Sequence, residues 1–111
     1  MLFIESPAGV GFSYNLETNF TFTNYVVADD TFNALQDFFN NKFKEYRNSK
    51  LWIAGESYAG IYIPDLAAMI DQFNFGNDNP YDLRGILVGN GAMDFTDDSL
   101  EKSTIDFYLK R

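Results

Sequence analysis

The residues best suited to chemistry are Gly55-Glu56-Ser57-Tyr58-Ala59-Gly60. An apolar run leads into them and a helical pattern leaves them. A serine on a sharp strand-to-helix turn is held out as a nucleophile. The turn also brings strand and helix so close that flanking residues must lack bulk. Gly55, two before Ser57, and Ala59 and Gly60, two and three after it, meet that demand, with alanine closing the usual G-x-S-x-G pattern. The same spacing suits a structural turn with no chemistry. In the catalytic reading the N–H of Tyr58 lies at the start of the following helix, where the peptide dipoles are positive, and donates to an oxyanion. Glu56 is either a surface carboxylate favoured by that dipole or a ligand contact, and its position alone supports both. A serine needs a base to remove its proton, usually a histidine oriented by a carboxylate. The chain contains no histidine.

Composition narrows the surrounding possibilities. With 111 residues the chain has one domain's worth of length and a modest core. A net charge of −8 and a pI near 4.2 argue against nucleic acid and anionic membrane surfaces, which require basic patches. Without cysteine there is no disulfide framework or thiolate site, and without histidine as well zinc and redox-metal sites are disfavoured, so no metal or other cofactor is expected. The start lacks the basic and apolar regions of a signal peptide, and no apolar run reaches membrane-spanning length. Opening within an apolar run and ending on "YLKR", the chain reads as part of a longer protein.

Apolar periodicity gives the elements around Ser57. Residues 1–5, "MLFIE", read as a short buried strand, stopped by the turn "SPAGVG". Residues 12–24 read as a polar, aromatic loop carrying the N-glycosylation sequon Asn19-Phe20-Thr21. A helix is expected from Asn24, as N-cap, to Tyr46, with Val27, Thr31, Ala34, Leu35, Phe38 and Tyr46 on its buried face. Residues 51–55, "LWIAG", read as a second buried strand, and Tyr58 to Phe73 as a helix with Tyr62, Leu66, Met69 and Phe73 on one face. Pro64 falls inside that helix, and because the carbonyl it crowds belongs to pliable Gly60, a kink rather than a break is expected. After a loop at 74–80, residues 83–89 read as a third buried strand and 97–110 as a last helix. The alternation of strand and helix, with continuous apolar strands, predicts an α/β fold on a parallel sheet buried on both faces. Three such strands leave two open edges, which again suggests the central part of a larger sheet.

With these elements in place, three segments together resemble the serine carboxypeptidase family. "GESYAGIYIP" (55–64) is similar to its nucleophile turn, "IESPAGVGFSY" (4–14) to its second signature and "LRGILVGNGAMD" (83–94) to its third, in family order. The resemblance implies an α/β-hydrolase fold and a lysosomal, vacuolar or secreted exopeptidase that removes C-terminal residues from peptides, best at acid pH. It implies that Ser57 is the nucleophile, that Tyr58 gives one oxyanion N–H, and that Glu56 binds the substrate's terminal carboxylate by sharing a proton with a second glutamate. Two close carboxylates do not both ionise cheaply, which gives a physical reason for the acid preference. The family's upstream Trp-Asn-Gly-Gly-Pro-Gly segment is not in these residues, and its triad aspartate and histidine lie beyond residue 111. Asp94 is better read as structural than as the triad acid, and Glu5 and Asn90 as hydrogen-bonding residues that fix loops. An acyltransferase on the same fold is the alternative, though such relatives carry Gly-Asp-Ser-Tyr-Ser-Gly, and Glu56 and Ala59 favour the peptidase. A non-catalytic or truncated relative is the third reading, favoured by the lack of histidine.

Overall fold

The structure, a computed structural model, describes residues 1–16 and 21–92. The sequon residue Asn19, Asp94 and the helix expected over 97–110 lie outside the described residues. Helix α1 spans Asn24–Asp37 and continues as a π-helical turn, Phe38–Lys42, and a short 3-10 turn, Lys44–Tyr46. Strand β1 (Leu51–Glu56) leads into α2 (Ala59–Asn74), which returns the chain to β2 (Leu83–Gly89). The two strands pair in parallel, from Leu51↔Leu83 to Glu56↔Gly89, with one irregularity between Leu51 and Trp52. Parallel neighbours require such a crossover, and α2 supplies it.

The core lies between the two helices and one face of the sheet. Ala28, Leu35, Phe39, Leu66, Ile70 and Tyr81 form its buried cluster. Ile70, wholly enclosed, contributes about 1.5–3 kcal/mol by its burial. Phe32 meets Phe73 edge-on at 5.5 Å, and Phe73 lies 5.3 Å from Tyr81, so aromatic rings carry the join between α1, α2 and the loop before β2. Pro64 sits within an uninterrupted α2.

Several expectations are corrected. Residues 1–5 are exposed and form no strand, because a strand exists only through its pairing and they have no sheet partner among the described residues. Strand β1 alternates between half-buried and exposed residues and β2 mixes the two, so among the described residues neither is buried on both faces. The helices cover one face, while Trp52, Ala54 and Leu87 are exposed. The N-cap of α1 is Thr23, not Asn24: the Thr23 hydroxyl accepts from the N–H of Val26. The α-helix ends at Asp37, and the wider π turn rotates the residues after it to new facings. Phe39 is buried while Tyr46 is exposed. Ala34 is also exposed, and Ala28 takes a core position.

Candidate active site

Ser57 occupies the bend between β1 and α2 with φ 60°, a left-handed conformation that a residue bearing a Cβ seldom adopts. The conformation is secured by hydrogen bonds on both sides of the residue. Its N–H donates to the carbonyl of Gly89 (3.0 Å), and its carbonyl accepts from the N–H groups of Gly60 (3.0 Å) and Ala92 (2.9 Å). The bend is thereby stitched to the end of β2, where Asn90 also has positive φ, 45°.

The small residues of the turn have separate reasons. A Cβ on Gly55 would stand 2.5 Å from the Cβ of Ala59 and 2.6 Å from Cδ1 of Ile63, so glycine on the strand leaves room for the fully buried methyl of Ala59 on the helix. A Cβ on Gly60 would stand 2.5–2.9 Å from the carbonyl and nitrogen of Ala92, which are backbone atoms unable to rotate away. The alanine that departs from G-x-S-x-G therefore packs against strand β1, and the neighbouring glycine admits the loop after β2.

Tyr58 is the N-cap of α2, at the positive end of a 16-residue helix. Its side chain is half exposed, and its hydroxyl donates to Oδ1 of Asn24 (2.8 Å), the first residue of α1. Its ring lies 6.2 Å from that of Tyr62, one turn further along α2. Beside it opens a hollow of about 190 Å³ lined by Pro7, Phe22, Thr23, Asn24, Val27, Tyr58 and Tyr62. Glu56, exposed at the end of β1, shares the open sheet face with Trp52 and Ala54. The contact between Asn24 and Tyr58 and the hollow they line had no signal in the sequence, since 34 residues separate the two partners.

The loop of residues 4–14 borders this region. The Glu5 carboxylate accepts from the N–H of Phe12 (2.6 Å), and the Ser13 hydroxyl donates to the Glu5 carbonyl (2.7 Å). Gly11, at φ 53°, takes a left-handed conformation that favours glycine, and the Glu5 carboxylate lies where a Cβ would stand. Glu5 thus fixes its loop, as expected of it. The peptide between Ser6 and Pro7 is cis. The loop docks on α1 through Ser6, whose Oγ lies 3.3 Å from Oγ1 of Thr31; Thr31 gives its proton to the carbonyl of Val27, so Ser6 is the donor.

The site therefore presents a serine on a strained bend, a helix N-terminus immediately after it and an exposed carboxylate immediately before it. No group of three metal-ligating side chains occurs among the described residues, and no helix among them is long and apolar enough to cross a membrane.

Comparison with known proteins agrees with this geometry. The chain is 47% identical over 97 residues to serine carboxypeptidase ctsa-4.1 of Caenorhabditis elegans, covering 86% of this chain and 19% of that protein. It is 46% identical over 95 residues to the lysosomal protective protein of Mus musculus, with the same coverage. It thus spans about a fifth of the length of these relatives. Among solved structures it superimposes on Kex1, a prohormone-processing carboxypeptidase from Saccharomyces cerevisiae, with a TM-score of 0.77 and 31% identity, covering 97% of this chain and 24% of that one. The fold is accordingly part of the α/β-hydrolase architecture of that enzyme. The family pattern described as serine carboxypeptidase matches residues 1–110, and the chain belongs to that family.

Proposed function

We propose that residues 1–111 are the central part of a serine carboxypeptidase domain, and that the complete protein releases C-terminal residues from peptides through an acyl-enzyme on Ser57. The observation that carries this reading is the left-handed backbone of Ser57, held between two strand ends by three hydrogen bonds. Strain of that kind, secured by its surroundings, is characteristic of functional positions.

In the proposed reaction Oγ of Ser57 attacks the carbonyl carbon of the last peptide bond, and its proton passes to a base outside these residues. The N–H of Tyr58 donates to the developing oxyanion. The C–N bond breaks, and the leaving amino acid takes the proton from the base. Water then attacks the ester, restoring the Ser57 hydroxyl and freeing the shortened peptide. Glu56 binds the free carboxylate of the substrate by sharing a proton with a second glutamate. The substrates are peptides with a free C-terminus. The names of the relatives support a lysosomal, vacuolar or secretory setting.

The test is covalent labelling of the full-length protein with a serine-directed fluorophosphonate, alongside release of C-terminal amino acids from blocked dipeptides at acid pH. Labelling and turnover are expected in the parent protein and neither in Ser57→Ala. Turnover that persists in Ser57→Ala would overturn the assignment.

A further inference from the structure

Resting on the reading of Tyr58 as an oxyanion donor, we infer that Asn24 is a positioning residue for catalysis, acting through the hydroxyl of Tyr58. The bond is made at 2.8 Å between residues 34 apart in sequence. Its two ends differ in rigidity. Asn24 begins α1 directly after the Thr23 cap. Val27 is buried one turn on, and Thr31 ties the helix to the loop of residues 4–14. Tyr58 directly follows the strained residue, and its side chain is 49% exposed, so packing alone does not immobilise the ring. Asn24 on one side and Tyr62 on the other fix it.

The consequence for chemistry is geometric. The side chain and the N–H of Tyr58 belong to one residue, so anchoring the phenol to a capped helix restricts the orientation of the peptide that donates to the oxyanion. An oxyanion donor contributes only when it is aimed at the place where charge develops, and small misplacements carry large penalties in rate. Asn24 makes no contact with the reacting atoms in this scheme. Its carboxamide holds the residue that does.

The test is a double-mutant cycle in the full-length protein with Asn24→Ala, Tyr58→Phe and the pair, read as kcat and KM on a blocked dipeptide, with Ser57→Ala as reference. Tyr58→Phe keeps the ring and removes the same bond, so it carries the test if Asn24→Ala does not fold. Each single variant is expected to lower kcat about tenfold with KM within twofold, and the pair to be no slower than either alone. A purely structural role for Asn24 would lower the unfolding temperature and leave Tyr58→Phe silent. Unchanged kcat in Tyr58→Phe, losses confined to KM, or losses that multiply in the pair would each overturn the inference while leaving Ser57 as nucleophile. Full activity in Ser57→Ala would instead remove the parent reading, and this one with it.

Discussion

Where β1 and β2 finish, two neighbouring non-glycine residues, Ser57 and Asn90, have positive φ, and both are exposed, as are Glu56 and Tyr58. Where the strands begin, no described non-glycine residue is strained in this way, and polar groups are tied together. Asn74 donates to the carbonyl of Tyr81 (2.8 Å) and accepts from its N–H (2.7 Å), so one carboxamide imitates a strand bridge. Arg47, only 9% exposed, places its guanidinium 3.7 Å over the Tyr81 ring and donates to the carbonyls of Pro80 (3.1 Å) and Asn79 and to Oδ1 of Asn40 (3.2 Å). The contrast assigns different work to the two ends of one short sheet. The starting end holds the helices and the 77–82 loop in place, and the finishing end spends part of that stability to hold a serine in an unfavourable conformation.

The most damaging substitution should be one that displaces the finishing end. Gly60→Ala puts a methyl against the backbone of Ala92, whose N–H bonds the carbonyl of Ser57. Either the loop after β2 or the bend must shift. We expect kcat to fall about 100-fold, with a loss of about 2 kcal/mol in stability, measured by turnover of a blocked dipeptide and by urea unfolding of the full-length protein. Gly76→Ala is the matched control at the other end. Its φ is +72°, but nothing lies within 4 Å of the added methyl, so only a backbone cost of about 1 kcal/mol is expected, with kcat unchanged. Equal kcat in the two variants would erase the distinction between the ends.

Arg47→Ala reverses the pattern. It strips partners from two carbonyls and a carboxamide and uncovers the Tyr81 ring, for an expected loss of about 3 kcal/mol, while kcat of the folded protein stays within twofold. Arg47→Lys is expected to recover only part of the loss, because an ammonium cannot reach the same oxygens with a fixed planar fork. A variant that kept its stability and lost its turnover would show that the starting end takes part in catalysis.

Much of the finishing end was legible because its demands are local. Gly55 and Ala59 answer a steric constraint between residues four apart, and the strand before and helix after them announce themselves by periodicity, whereas the reason for Gly60, the backbone of Ala92, lies 32 positions on. The starting end was far less legible. Arg47 reads in sequence as a charged residue ending a helix, and nothing nearby signals that it is buried under a tyrosine 34 positions later. The π turn at Phe38–Lys42 changed which residues face the core, a switch that a constant helical period cannot anticipate. Residues 1–5 carry the apolar composition of a strand, yet pairing, not composition, makes a strand, and composition says nothing about which partner is present. The same holds for the expected burial of both sheet faces: Trp52 and Leu87 are exposed because a run of apolar residues specifies a tendency to be covered, not the element that covers it.

A subtler measurement separates strain from chemistry at Ser57 itself. A left-handed conformation costs an L-residue about 1–2 kcal/mol, and glycine escapes that cost. Glycine also has more freedom in the unfolded chain, which returns about 0.5–1 kcal/mol of the gain. Ser57→Gly is therefore expected to stabilise the full-length protein by about 0.5 kcal/mol relative to Ser57→Ala. Both variants lack the hydroxyl and both should be inert toward a fluorophosphonate. Comparing the two with each other, rather than with the parent, cancels the loss of Oγ and leaves the backbone term. Asn90→Gly should shift stability in the same direction by less, since asparagine tolerates this region better than serine does. If Ser57→Gly unfolds at lower urea than Ser57→Ala, the bend at φ 60° stores no strain, and the finishing end of the sheet holds its serine by packing alone.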